Sequence, residues 1–142
     1  MKKKILIIGG TGFIGYHLAQ KSLQKKWDVT SISSHRVSKK RFLKNVKYIY
    51  CDISKKNSLI KIQNEDYDHV VNLGGYVNHR DKVKTMASHF TGCKNLSNFF
   101  LKKKILSFTQ MGSSVEYGKT KSPQKENVKL SIKNLKSTYG KA

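Results

Sequence analysis

The chain has 142 residues, room for one domain with a hydrophobic core and hardly for two. Its formal charge of +21 raises nucleic acid as a partner, but of 29 basic residues only Arg36, Arg41 and Arg80 are arginine. The lysines run along the whole chain with no aromatic-interleaved stripe, so nucleic acid is not the expected partner, and no apolar run nears the roughly 18 residues of a membrane helix.

Ile5 to Ile8 are four apolar residues in a row, which predicts a strand buried on both faces, as in a parallel sheet. Residues 1–8 lack the small-residue cleavage site of a secretion signal. Directly after the strand, Gly9-Gly10-Thr11-Gly12-Phe13-Ile14-Gly15 fits both Gly-x-Gly-x-x-Gly and Gly-x-x-Gly-x-x-Gly. Between a buried strand and a helix, such glycines allow a tight turn and a close backbone approach to a pyrophosphate, which the free N–H groups of the helix start would receive. Phe13, Ile14, Leu18, Ala19 and Leu23 recur at helical spacing, predicting a helix over 12–25.

Trp27 to Ser33 reads as the second strand. At its end a carboxylate would bind the adenosine ribose, but the chain has Ser33-Ser34-His35-Arg36. Ser34 and Arg36 suit a 2′-phosphate, which favours NADP slightly within an NAD(P) assignment. Val46 to Cys51 reads as the third strand, ending at Asp52-Ile53, and a short helix over 55–63 would pack through Leu59, Ile60 and Ile62. The fourth strand, His69 to Leu73, runs into Gly74-Gly75, where this architecture admits its ligand. A long helix is expected over 81–102, with Met86, Phe90, Cys93, Leu96 and Phe100 near one face. The fifth strand is Ile105 to Met111, followed by Gly112 to Gly118, a polar loop around Lys119–Lys133, and Leu135 to Ala142. Strand–helix alternation of this kind predicts an α/β fold with a doubly wound parallel sheet, Rossmann-like, of at least five strands. Cys51 and Cys93 lie far apart without metal-ligand spacing, so no metal is expected, and two reduced thiols suit a cytoplasmic protein.

The glycine loop, Asp52-Ile53, Asn72-Leu73-Gly74-Gly75, Gly112-Ser113-Ser114-Val115-Glu116-Tyr117-Gly118 and Tyr139 occur in the order and spacing of the extended short-chain dehydrogenase/reductases. The chain resembles their nucleotide-sugar epimerase/dehydratase branch from residue 4 to the last residue. The resemblance implies that Gly9, Gly12, Phe13, Ile14 and Gly15 hold the pyrophosphate, and that Asp52 and Ile53 meet the adenine. It implies that Leu73, Gly74 and Gly75 line the adenosine and nicotinamide path. Ser113, four residues before Tyr117, takes the place of the catalytic hydroxyl, and Tyr139 that of the acid/base tyrosine. The chemistry needs both. Hydride transfer from a sugar carbon requires a proton to leave the attached hydroxyl, and a phenol of pKa about 10 does this poorly near neutrality without adjacent positive charge.

The family supplies that charge from a lysine four residues after the tyrosine, which would be residue 143. Lys141, two residues on, would point to another side of the helix. His89 stands three residues before Gly92, where relatives carry asparagine, and reads as a surface or half-buried helix histidine. The expected protein is thus the incomplete dinucleotide-binding domain, 1–142, of a nucleotide-sugar epimerase, dehydratase or reductase, truncated before the substrate domain and inactive alone. The alternative is a complete, non-catalytic dinucleotide-binding module or a decayed remnant. Relatives form homodimers through helices flanking the catalytic strands, and that dimer is expected to be impaired here.

Overall fold

The computed structural model describes residues 2–127 and 131–142, so residues 128–130 of the expected polar loop lie outside the described residues. Five parallel strands, β1 (Lys4–Ile8), β2 (Asp28–Ser33), β3 (Val46–Tyr50), β4 (His69–Asn72) and β5 (Ser107–Gln110), form one sheet in the order β3-β2-β1-β4-β5. β1 is central: Ile5 pairs with Val29 on one side and with His69 on the other.

Because successive side chains of a strand point to opposite faces, β1 feeds two cores. Ile5 and Ile7 pack with Ala19 and Val29 under helix α1 (Phe13–Gln24), with Leu18 and Leu23 partly buried beside them. Leu6 and Ile8 pack on the other face with Ile32, Leu59, Ile62, Val70, Leu96 and Phe100. Each fully buried Ile, Leu, Val or Phe among them stabilises the fold by about 1.5–3 kcal/mol through removal of apolar surface from water. Both faces are covered, so the sheet is doubly wound.

The helical layer departs from the expected pattern in three places. The β2–β3 crossover holds only a short 3₁₀ turn, Lys39–Arg41. The expected helix over 55–63 is a 3₁₀ helix, Lys56–Ile62, whose three residues per turn align Leu59 with Ile62 against the core and leave Ile60 62% exposed. The expected helix over 81–102 is α2 (Lys82–Thr85), a π-helical stretch (Met86–Thr91) and α3 (Gly92–Phe100) in succession. The wider π turn shifts the register, so Leu96 and Phe100 are buried together while Phe90 turns outward, 49% exposed. Helix α4 (Thr138–Lys141) is one turn at the C-terminal end. Among the described residues no helix is long and apolar enough to cross a membrane.

Candidate dinucleotide site and the Tyr139 ring cluster

From β1 the chain crosses to β2 on one side, and from β4 it crosses to β5 on the other, so a crevice opens where their carboxyl ends part. The corner after β1 is pinned there by Gly9 N–H to the Ile32 carbonyl (2.9 Å), while Leu73 N–H donates to the Ile8 carbonyl (3.0 Å). Gly9 has φ +76°, and a β-carbon on it would stand 2.9 Å from the Leu73 carbonyl oxygen. Only glycine meets both conditions without strain. A β-carbon on Gly15 would stand 2.6 Å from the Gly10 Cα, so the first turn of α1 lies directly on the loop.

Gly12 caps α1 without a side-chain hydrogen bond. The N–H groups of Phe13, Ile14 and Gly15 therefore have no carbonyl partner within the helix, and they stand at its positive end. A helix start of this kind is suited to anions. A cleft of about 510 Å³ lies beside it, lined by Gly9, Gly12, Phe13, Ile14 and Gly15 from the corner. Phe13 and Ile14, which fit the helical apolar spacing noted above, are 69% and 56% exposed and present apolar surface to that cleft.

Asp52, Ile53, Leu73, Gly74 and Gly75 form the facing wall. The Asp52 Oδ1 accepts from the Ser54 N–H (3.1 Å) and hydroxyl (2.7 Å), which fixes the carboxylate in a turn. Asn95 on α3 donates to the carbonyls of Ile53 (2.9 Å) and Ser54 (3.1 Å) and holds this loop to the helix. Buried Asn72 sets the mouth: its Oδ1 accepts from Gly74 N–H (3.0 Å) and its Nδ2 donates to Gln110 Oε1 on β5 (2.7 Å). Cys93 donates to the same Gln110 oxygen (3.2 Å), whereas Cys51 is buried and its thiol is pushed up by that burial.

At the end of β2, Ser34 lines the cleft but Arg36 does not and is exposed. Arg41, from the β2–β3 turn, instead reaches the glycine loop, its Nη1 donating to the Thr11 carbonyl (3.0 Å). Thr11 in turn donates from its hydroxyl to Ser33 Oγ (3.0 Å). The contact spans thirty residues of sequence, and no local pattern around Arg41 signals it.

Ser113 caps the 3₁₀ turn Ser114–Tyr117, its Oγ accepting from Val115 N–H (3.3 Å). Helix α4 lies on that turn, where a β-carbon on Gly140 would stand 3.1 Å from Val115 Cγ1. Neither Ser113 nor Tyr139 lines the cleft, whose near end is formed by Tyr76, Val77, Ser88 and Met111. Tyr139 is half-buried in a cluster of rings: His79 stacks on it at 3.7 Å and 10°, and His89 meets it edge-on at 4.8 Å and 68°. His89 Nε2 is 3.3 Å from the Tyr76 carbonyl, which can only accept, so this nitrogen carries the proton. Burial pushes His89 below the ordinary imidazole pKa, the Tyr76 carbonyl opposes the shift, and the neighbouring His79 adds to it. His79 has no signal in the sequence, because its partners lie ten and sixty residues away. Among the described residues no group of three or more His, Cys, Asp or Glu side chains is placed to hold a metal ion.

Comparison with known proteins agrees with this architecture. A UDP-N-acetyl-alpha-D-glucosaminuronate decarboxylase of Bacillus cytotoxicus is 30% identical over 136 residues, covering 89% of this chain and 41% of that protein. The Bordetella bronchiseptica enzyme WbmG, solved in complex with NAD and UDP, superposes with a TM-score of 0.86 at 18% identity, over 99% of this chain and 46% of its own. The UDP-Glc/GlcNAc 4-epimerase of Campylobacter jejuni superposes with a TM-score of 0.85 at 21% identity, over 97% and 45%. The chain thus spans less than half the length of these relatives. The family match itself runs from residue 5 to residue 142, and the chain belongs to the NAD dependent epimerase/dehydratase family.

Proposed function

We propose that this chain is the NAD(P)-binding portion of an enzyme that epimerises, dehydrates or reduces a nucleotide sugar. One observation carries the reading: the glycine corner and the end of β4 enclose a single cleft at the switch point, with uncapped helix N–H groups at its floor. The dinucleotide's diphosphate would lie over Gly12 to Gly15, its adenine beside Asp52 and Ile53, and its nicotinamide end towards Gly74 and Gly75. When bound, the dinucleotide supplies the hydride acceptor or donor. The substrate class is supported by relatives that act on or bind UDP compounds.

Ser113 would hydrogen-bond the reacting sugar oxygen, and Tyr139 would take or return its proton. The contact between α4 and the Ser113-capped turn supports their working as a pair. The 142 residues alone would bind dinucleotide but turn over little, because neither Ser113 nor Tyr139 lines the cleft. NADP would be held more tightly than NAD, since no carboxylate follows β2 and Ser34 faces the cleft. The same reading makes the protein cytoplasmic.

Calorimetric titration of the chain with NAD and NADP, followed by assay with UDP-glucose, UDP-galactose and UDP-N-acetylglucosamine, tests it. Saturable dinucleotide binding with negligible turnover is expected. No binding of either dinucleotide, or steady turnover of any of these sugars, contradicts it.

A further inference from the structure

The ring cluster around Tyr139 is the part of the molecule that the dinucleotide cleft does not explain. Tyr139 sits on a single helical turn, Thr138–Lys141, which is too short to hold a side chain by its own stability. Its position must come from tertiary contacts. Two imidazoles supply them: His79 covers one face of the ring, and His89 meets it edge-on, which fixes tilt as well as plane. The two imidazoles also touch each other, at 5.6 Å and 70°.

The clamp is anchored to the cleft. The π-helical stretch brings consecutive residues Ser88 and His89 to the same backbone unit. Ser88 Oγ accepts from Tyr76 N–H (3.0 Å), and His89 Nε2 donates to the Tyr76 carbonyl (3.3 Å). On its other side the His89 ring fills the space that a side chain on Gly75 would need, a β-carbon there coming within 2.9 Å of both ring nitrogens. Gly75 therefore makes room for an imidazole, which in turn joins the end of β4 to Tyr139. The α2 segment beneath carries Lys84, but its Nζ is directed to Asp81 (3.4 Å) and over the Tyr76 ring (5.4 Å).

We propose that His79 and His89 are positioning residues for Tyr139, a ring clamp that carries the geometry of the β4 end to the phenol. This rests on the reading of Tyr139 as the proton-transfer residue, and the test separates the two.

The chain is labelled on its tyrosine rings, and the Tyr139 resonances are identified from their loss in Tyr139→Phe. Stacking predicts that these ring protons resonate upfield of a solvated tyrosine. His79→Ala and His89→Ala should each move them towards the position of a solvated tyrosine, whereas His79→Phe should restore the upfield shift. His79 is exposed, so its replacement leaves the core intact, and unchanged resonances of core residues such as Leu6 verify this. Tyr139 signals at solvated positions in the parent chain, or unmoved by both alanine substitutions, overturn the clamp and leave the catalytic reading standing. That reading is judged separately by Tyr139→Phe in the complete enzyme, where loss of kcat by about 100-fold or more supports it. Retained kcat there removes the positioning role whatever the spectra show.

Discussion

Gly9 and Leu73 meet across the centre of the sheet: with φ +76° at Gly9, a β-carbon would lie 2.9 Å from the Leu73 carbonyl oxygen. The corner that starts the cleft and the strand end that closes it are therefore one packed unit. Gly9→Ala combines a left-handed backbone, costing about 1–2 kcal/mol, with a clash against main chain that cannot swing away. Urea denaturation should show at least that loss. Calorimetry should show dinucleotide affinity falling about tenfold or more, because the loop must move from its place on α1.

The 3₁₀ register between β3 and β4 separates two neighbouring residues in energy. Ile62 is fully buried and Ile60 is 62% exposed. Ile62→Ala should cost about 2–5 kcal/mol, and Ile60→Ala less than about 0.5 kcal/mol. Equal losses in urea midpoints would contradict this separation of the two side chains.

His89 gives the stability a pH dependence of definite sign. Its folded pKa lies below the ordinary 6.5, so the unfolded chain takes up a proton first as the pH falls. The stability associated with neutral His89 is full above about pH 6.5 and is lost as the pH falls through the lower, folded value. Urea midpoints should drop more between pH 7.5 and 5.5 in the parent chain than in His89→Gln. A parallel drop in both would assign the effect to other groups.

Cofactor choice is tested at the end of β2. NADP should bind more tightly than NAD. Arg36 is exposed outside the cleft lining, and only if its side chain swings in to a 2′-phosphate should Arg36→Ala weaken NADP, by about tenfold, and leave NAD unchanged. Arg41→Ala should weaken both, since Arg41 braces the glycine loop through the Thr11 carbonyl. Tighter binding of NAD, unaffected by Arg36→Ala, contradicts the phosphate assignment.

The sheet was legible in the sequence because its signals are local: an unbroken apolar β1, glycines immediately after it, and strands ending in Asp52 or Gly74-Gly75. The covering helices were less so. Periodicity assumes one number of residues per turn, and the π stretch breaks that assumption and turns Phe90 to solvent, while Ile60, two residues from buried Ile62, falls on the opposite side of its turn. Phe13 and Ile14 fit a helical apolar stripe and also face the cleft, and spacing alone does not separate those roles. The His79–Tyr139 stack and the Arg41–Thr11 contact join distant residues through the fold and left no trace in local pattern.

The central claim is that the β1–α1 corner receives a dinucleotide diphosphate. Amide chemical-shift mapping of the labelled chain during titration with NADP and NAD tests it most directly. The account predicts saturable shifts concentrated at Gly12 to Gly15, with further shifts at Asp52, Ile53, Gly74 and Gly75. Shifts confined to the lysine-rich surface, or no saturable change at the Phe13, Ile14 and Gly15 amides, would contradict it.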